Sequence, residues 1–179
     1  LREEAADAVR ELKEAGITKV VMMTGDSERT AAAIAKRVGV DEYYSEVLPE
    51  DKASFVEREK ELGHKVIMIG DGINDSLALS SANVGIAISD GAAIAREIAD
   101  VTISADNLHE IVTLKRLSTA LMKRIHNNYR TIIGINGGLI ALGVTGIIMP
   151  TTSALLHNMS TLTISLRSMR NLLPKEETL

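Results

Sequence analysis

An α/β fold on a parallel sheet, continued by a hairpin of apolar helices, is the architecture this sequence predicts. Three observations predict it. Helical spacings alternate with short β-branched and apolar runs from the N-terminus to Ile103, the pattern of βαβ units. Gly and Asp cluster directly after several of those runs, where an open α/β sheet places its ligands. Residues 131–166 contain no Asp, Glu, Lys or Arg, although the chain carries 20 basic and 24 acidic residues.

The elements follow in order. Leu1 to Ala15 has helical spacing through Ala5, Ala8, Val9 and Leu12 and stops at Gly16. Lys19 to Thr24 reads as a buried strand, and Thr30 to Val38 as a helix stopped by Gly39. A short strand near Tyr43 leads to a helix from Pro49 to Leu62. The strand Lys65 to Ile69, a helix Asp75 to Ser81, the strand Val84 to Ile88, a helix Ala92 to Ile98 and a strand Val101 to Ile103 complete the alternation. Asn107 to Ile125 is a long helix with a repeating apolar stripe, and it runs on without a Gly or Pro break. The expected organisation is a sheet domain over 1–106, a connecting helix over 107–130, a helical hairpin over 131–172 and a tail over 173–179.

Composition narrows the function classes. With no Cys, the chain has no disulfide framework and no thiolate chemistry or thiolate metal site. A net charge of −4, with no Trp, one Phe and three Tyr, argues against a nucleic-acid partner, which requires a basic face and stacking side chains.

The uncharged stretch predicts a membrane partner. Thr131 to Met149 as a helix is about 28 Å long, close to the hydrocarbon thickness of a bilayer. Pro150 is expected to break it, with Thr151 and Thr152 as turn or cap residues. Ser153 to Leu166 is shorter and spans only if extended to about Met169 with Arg167 and Arg170 snorkelling. Basic residues flank both ends of the hairpin and none lies in its turn, which places the sheet domain and the C-terminus in the cytoplasm of a multi-pass protein of the cell membrane. A buried hairpin in a soluble helical domain is the alternative. Gly134 and Gly138 make a small-residue face suited to close packing against a further helix.

Three strand ends carry the chemistry. Thr24-Gly25-Asp26-Ser27 offers a hydroxyl and amides to an anion, though such a turn is common by itself. Pro49-Glu50-Asp51-Lys52 places a lysine in the first turn of a helix, where ammonium and helix dipole both favour a phosphoryl oxygen. The third is the specific one. Gly70-Asp71-Gly72-Ile73-Asn74-Asp75 sets two carboxylates four residues apart beside an Asn, hard oxygen ligands for Mg²⁺ next to a phosphate.

The ordered set Thr24-Gly25-Asp26, Pro49-Glu50-Asp51-Lys52 and Gly70-Asp71-Gly72-Ile73-Asn74-Asp75 resembles the haloacid-dehalogenase phosphorylation domain of a P-type ATPase, a Rossmann-like parallel sheet. The resemblance covers essentially the whole chain, and a single closing hairpin is similar to the heavy-metal branch. It implies that Thr24 and Lys52 bind the phosphoryl group, that Asp71 ligates Mg²⁺, and that Asn74 and Asp75 support that site, Asp75 as a further Mg²⁺ ligand. Gly25 and Asp26 then form the loop facing ATP, with Gly72 on the cofactor side. The family's Asp-Lys-Thr-Gly-Thr nucleophile is absent, so the chain is expected to be the C-terminal piece of a longer pump, inactive alone, reaching ATP through the N-terminal part. A soluble phosphatase of the same superfamily and a non-catalytic membrane subunit are the rival readings.

The hairpin carries one further polar set. His157, Ser160 and Thr161 fall on one helical face, with Asn158 beside them and Asn136 on the preceding helix. A neutral imidazole with hydroxyl and amide oxygens suits a transported heavy-metal cation, divalent or monovalent, of borderline-soft character. This His-x-x-Ser-Thr arrangement is similar to the last-helix pattern of heavy-metal pumps.

Overall fold

The computed structural model describes residues 4–71, 74–88, 97–103 and 108–172. Its elements are α1 (Ala5–Glu14), β1 (Val21–Met23), α2 (Glu28–Val38), β2 (Glu42–Tyr44), α3 (Pro49–Glu61), β3 (Ile67–Gly70), α4 (Ser76–Ser81), β4 (Val84–Ile88), β5 (Val101–Ile103), α5 (His109–Val144) and α6 (Pro150–Ser168). The chain divides into two compact units, Leu1–Thr113 and Leu114–Leu179. Most of the helix expected over Ala92 to Ile98, Gly72 and the tail 173–179 lie outside the described residues.

The first unit is an α/β domain with parallel strands. β1 pairs with β2 in the register Val21 with Glu42, and β3, β4 and β5 form a second parallel ladder, Ile67 opposite Val84 and Ile86 opposite Val101. Among the described residues the two ladders share no strand pairing. β4 and β5 have the expected bounds, whereas β1 and β3 are shorter than the apolar runs that announced them. At β1, for example, the Val20 amide leaves the ladder pattern and donates to Asp41 Oδ2 at 2.7 Å.

Helices cover the sheet with small residues. Ala31 and Ala78 are fully buried, and Val56, Met68, Ala78 and Leu79 form a core against which Met23, Ala53, Val66, Ala82 and Ile98 pack. Small side chains let the helices sit close to the strands, and Gly85 shows how close: a Cβ there would stand 2.6 Å from the Leu79 carbonyl oxygen.

An ion pair ties α1 to the start of β2. Lys13 Nζ donates to Asp41 Oδ1 at 2.8 Å and to the Gly39 carbonyl at 3.0 Å. The Lys13 ammonium and the Val20 amide, both donating to it, hold the Asp41 carboxyl below the usual carboxylate range. A group with a depressed folded-state pKa stabilises the fold above its unfolded pKa and loses that contribution as pH falls through the folded value. The stability gap between wild type and Asp41→Asn is therefore expected to be widest near neutral pH and to close below about pH 4. Urea unfolding across that range measures it, and a gap independent of pH would show that the carboxylate charge is not what Asp41 contributes.

The second unit consists of the rest of α5 and α6. The sequence predicts a helix continuing to Met149, and the structure ends it at Val144. Gly146 adopts φ +71°, the Gly146 amide donates to the Gly143 carbonyl and the Ile147 amide to the Leu142 carbonyl, both at 3.0 Å. That paired arrangement satisfies the last carbonyls around a left-handed glycine, which other residues adopt at a steric cost. Pro150, expected as a breaker followed by turn residues, is instead the first residue of α6, where its missing N–H and fixed φ cost nothing. Among the described residues no helix is by itself long and apolar enough to cross a membrane.

Candidate functional site

The three motifs sit where the parallel strands end. Thr24 follows β1, and its backbone continues the ladder by one bond, its amide donating to the Tyr44 carbonyl at 3.0 Å. Its hydroxyl accepts from the Asp26 amide at 3.1 Å and donates to Asp26 Oδ2 at 3.0 Å, closing a tight turn around exposed Gly25. The Glu46 amide donates to the Asp26 carbonyl at 2.9 Å, and the Val47 amide donates to the Thr24 carbonyl at 3.0 Å. The motif is thus a turn braced by the strand beside it.

Lys52 is placed by the start of α3. Leu48 is the N-cap in extended conformation, Pro49 takes the first helical position, and the Leu48 amide donates to Asp51 Oδ2 at 3.2 Å. Asp51 therefore fixes the helix entry. Lys52, one residue on, is free to turn inward.

The third motif meets it there. Lys52 Nζ donates to Asp75 Oδ1 at 2.7 Å, with side-chain exposures of 15% and 11%. Among the described residues Asp75 is the polar or charged residue that is buried. A charge this enclosed persists only with a partner, and the ammonium supplies it. Gly70 makes the approach possible: a Cβ at that position would stand 2.6 Å from Asp75 Cβ and 2.8 Å from its Cγ. The sequence shows Gly70 as part of the motif, but its packing against Asp75 appears only in three dimensions, because the contact depends on how α4 turns back over β3.

Asp71 lies exposed just beyond β3, and its Oδ1 accepts from the Asn74 amide at 3.3 Å. Asn74 is exposed as well. The structure therefore gives the two carboxylates different surroundings, Asp75 inward against Lys52 and Asp71 outward. Among the described residues no group of three His, Cys, Asp or Glu side chains converges on one point. Of the two carboxylates Asp71 is the more accessible.

In the second unit, His157 Nδ1–H donates to Asn136 Oδ1 at 2.9 Å. That bond selects the tautomer whose Nε2 keeps its lone pair. Ser160 and Thr161 differ from expectation in detail. Their hydroxyls both donate back to the His157 carbonyl, at 2.8 and 3.0 Å, so they share its face of α6 while their protons are held by the helix itself. A cavity of about 680 Å³ lies between α5 and α6, lined by Asn136, Ser153, His157 and Asn158 among apolar neighbours.

Residues 1–83 match the haloacid dehalogenase-like hydrolase family. A zinc-exporting P-type ATPase of Mycobacterium marinum is 37% identical over 171 residues, which is 95% of this chain and 23% of that protein. A manganese-exporting P-type ATPase of Mycobacterium bovis is also 37% identical, over 95% of this chain and 24% of its own length. The crystal structure of a zinc-transporting PIB-type ATPase in its E2.Pi state superposes with a TM-score of 0.87 at 33% identity, covering 97% of this chain and 28% of that one. Over nearly its whole length this chain is similar to heavy-metal P-type ATPases. It spans about a quarter of the length of the curated relatives it matches.

Proposed function

We propose that this chain is the phosphoryl- and Mg²⁺-binding portion, with the closing membrane hairpin, of an ATP-driven heavy-metal cation pump. The observation that carries the reading is the enclosed Lys52–Asp75 pair beside outward-facing Asp71, in a chain whose similarity to a zinc-transporting pump runs over 97% of its length. Lys52 would neutralise a phosphoryl oxygen, Asp75 would hold the ammonium in place, and Thr24 would turn its hydroxyl from Asp26 to another oxygen. Asp71 would hold Mg²⁺, whose charge would help balance that of the phosphoryl group. Gly25 and Asp26, exposed beyond β1, would form the side of the site open to nucleotide, and Gly72, outside the described residues, would join them there.

The sequence holds no Asp-Lys-Thr-Gly-Thr, so these groups can orient and neutralise a phosphoryl group but have no partner to accept one covalently. Purified chain is expected to form no acid-stable, hydroxylamine-sensitive phosphoenzyme from labelled ATP. The longer polypeptide that includes it is expected to form one. Labelling of the isolated chain would overturn the division of labour proposed.

Membrane residence rests on the hairpin's surface. Ile140, Val144, Ile147, Met149, Leu155 and Leu162 are exposed, in a stretch of 36 residues without a charge. Lipid is the medium in which such a surface is stable, with the first unit and the C-terminus on the cytoplasmic side. Because α5 ends at Val144, spanning requires the turn through Met149 to enter the bilayer packed against neighbouring helices. Gly134 and Gly138, with nothing within 4 Å of where a Cβ would stand, offer those helices a close approach.

The transported ion is assigned to the cavity beside His157. Ser160 and Thr161, one turn along α6, do not line that cavity, so the donors there are the His157 Nε2 lone pair and the oxygens of Ser153 and Asn158, a set that favours Zn²⁺-like cations over Mn²⁺, which prefers carboxylate oxygen. In the complete pump, His157→Ala is expected to abolish zinc-stimulated ATPase activity and lower bound-metal stoichiometry while phosphorylation from inorganic phosphate persists. Unchanged metal stimulation would make His157 a purely structural partner of Asn136.

A further inference from the structure

We propose that the cationic cleft between the start of the second unit's α5 segment and the end of α6 binds the phosphate of an anionic phospholipid headgroup. The proposal rests on the membrane reading of residues 131–166. The cleft encloses about 350 Å³ and is lined by Lys123, Arg124, Arg167 and Arg170 together with Asn127 and Asn128. Residues 114–179 carry eight basic side chains against two acidic ones, Glu176 and Glu177, and none of the described residues in that range is acidic.

The four cations have different employment. Arg124 is structural: its guanidinium donates to the carbonyls of Ser168 at 3.0 Å, Asn171 at 2.9 Å and Arg170, occupying the unpaired carbonyls at the C-terminus of α6. Asn128 adds a bond from its amide to Ser168 Oγ at 2.7 Å. These contacts clamp the two helices and offset the negative end of the α6 dipole, which would otherwise repel an anion. Lys123, Arg167 and Arg170 make no ion pair or hydrogen bond with any described side chain, and all three are exposed. Three cations with no partner among the described residues, around a clamped pocket, form a site for a phosphate oxyanion.

A lipid rather than a free anion is favoured by what adjoins the cleft. Ile132 and Ile133 lie just beyond its α5 wall, Leu162 and Leu166 just beyond its α6 wall, and all four are exposed. Acyl chains lying on that surface would leave their headgroup phosphate at the level of Lys123, Arg167 and Arg170, and residues 131–166 have no charge to disturb them.

The full chain, purified in a neutral detergent, should be examined by native mass spectrometry with phosphatidylglycerol and phosphatidylcholine added in equal amounts, and by flotation with vesicles of either lipid. Phosphatidylglycerol is expected to be retained at least about tenfold better, with a loss of about fivefold for each of Lys123→Gln, Arg167→Gln and Arg170→Gln, since a cation at an anionic surface contributes on that scale. Flotation with phosphatidylcholine vesicles is expected to be the same in wild type and variants. Equal retention of the two lipids by wild-type protein that floats normally would overturn the proposal and leave the membrane reading standing. Failure of wild-type protein to float with either vesicle would overturn both. Displacement of phosphatidylglycerol by millimolar inorganic phosphate would reassign the cleft to the free anion. Because the lipid preference is read on wild-type protein, the test holds even where a variant folds poorly.

Discussion

Asp71→Asn in the complete pump is expected to reduce Mg²⁺-dependent phosphorylation by ATP by roughly a hundredfold or more, the usual cost of removing one charge-stabilising contact at a phosphoryl site. The substitution keeps the shape of the side chain and the oxygen that accepts the Asn74 amide at 3.3 Å, so the turn after β3 should survive. What it removes is the negative charge facing outward beyond the strand. The reading makes a second demand: the requirement for Mg²⁺ should shift to higher concentration in proportion to the loss, because the carboxylate is the hard donor available there. Phosphoenzyme measured against Mg²⁺ concentration checks both. Near-normal phosphorylation at unchanged Mg²⁺ would remove Asp71 from the metal site.

Breaking the Lys52–Asp75 pair is expected to cost stability as well as activity. Either Lys52→Ala or Asp75→Ala strands the remaining charge in a site only slightly open to water. Loss of one partner from a buried pair costs about 3–5 kcal/mol, and the residual exposure lowers this to about 2–4 kcal/mol here. The double variant removes both charges and should be destabilised by clearly less than the sum of the singles, a coupling of at least about 1 kcal/mol. Urea unfolding of the four proteins gives that value directly. In the complete pump, Lys52→Ala should also lower phosphorylation by about a hundredfold. Strict additivity of the singles would mean that the 2.7 Å contact contributes nothing to the fold, and normal phosphorylation in Lys52→Ala would mean that it is only structural.

The two effects read differently from the sequence. That Lys52 and Asp75 both follow strand ends was legible as two motifs, one opening α3 and one opening α4, because a parallel βαβ alternation puts each helix start just beyond the carboxyl end of a strand. That they touch was not legible. Their 23-residue separation could equally have left Lys52 solvated in the first turn of its helix. Asp71 and Asp75, equivalent in the sequence as two carboxylates of one motif, were separated only by burial. The same holds in the hairpin, where spacing placed His157, Ser160 and Thr161 on one face but could not show the hydroxyls bonded to the helix backbone or the imidazole bonded to Asn136.

By itself the sequence determined the order and type of the described elements. Apolar periodicity, the stops at Gly16 and Gly39 and the Pro49 start are local signals, fixed by backbone sterics and side-chain spacing within a few residues. It also determined the two materials of the chain, since charge content needs no fold to be read. The tertiary structure alone decided where helices end when the stop is a conformation rather than a composition, as at Gly146, whose left-handed φ closes α5 five residues before the apolar run is exhausted. It alone decided which charges are enclosed. The ionic pairing of Lys52 with Asp75 and the clamp of Arg124 on the end of α6 join residues 23 and 44 or more positions apart, and the cost of burying an unpaired group acts only once the chain has brought them together.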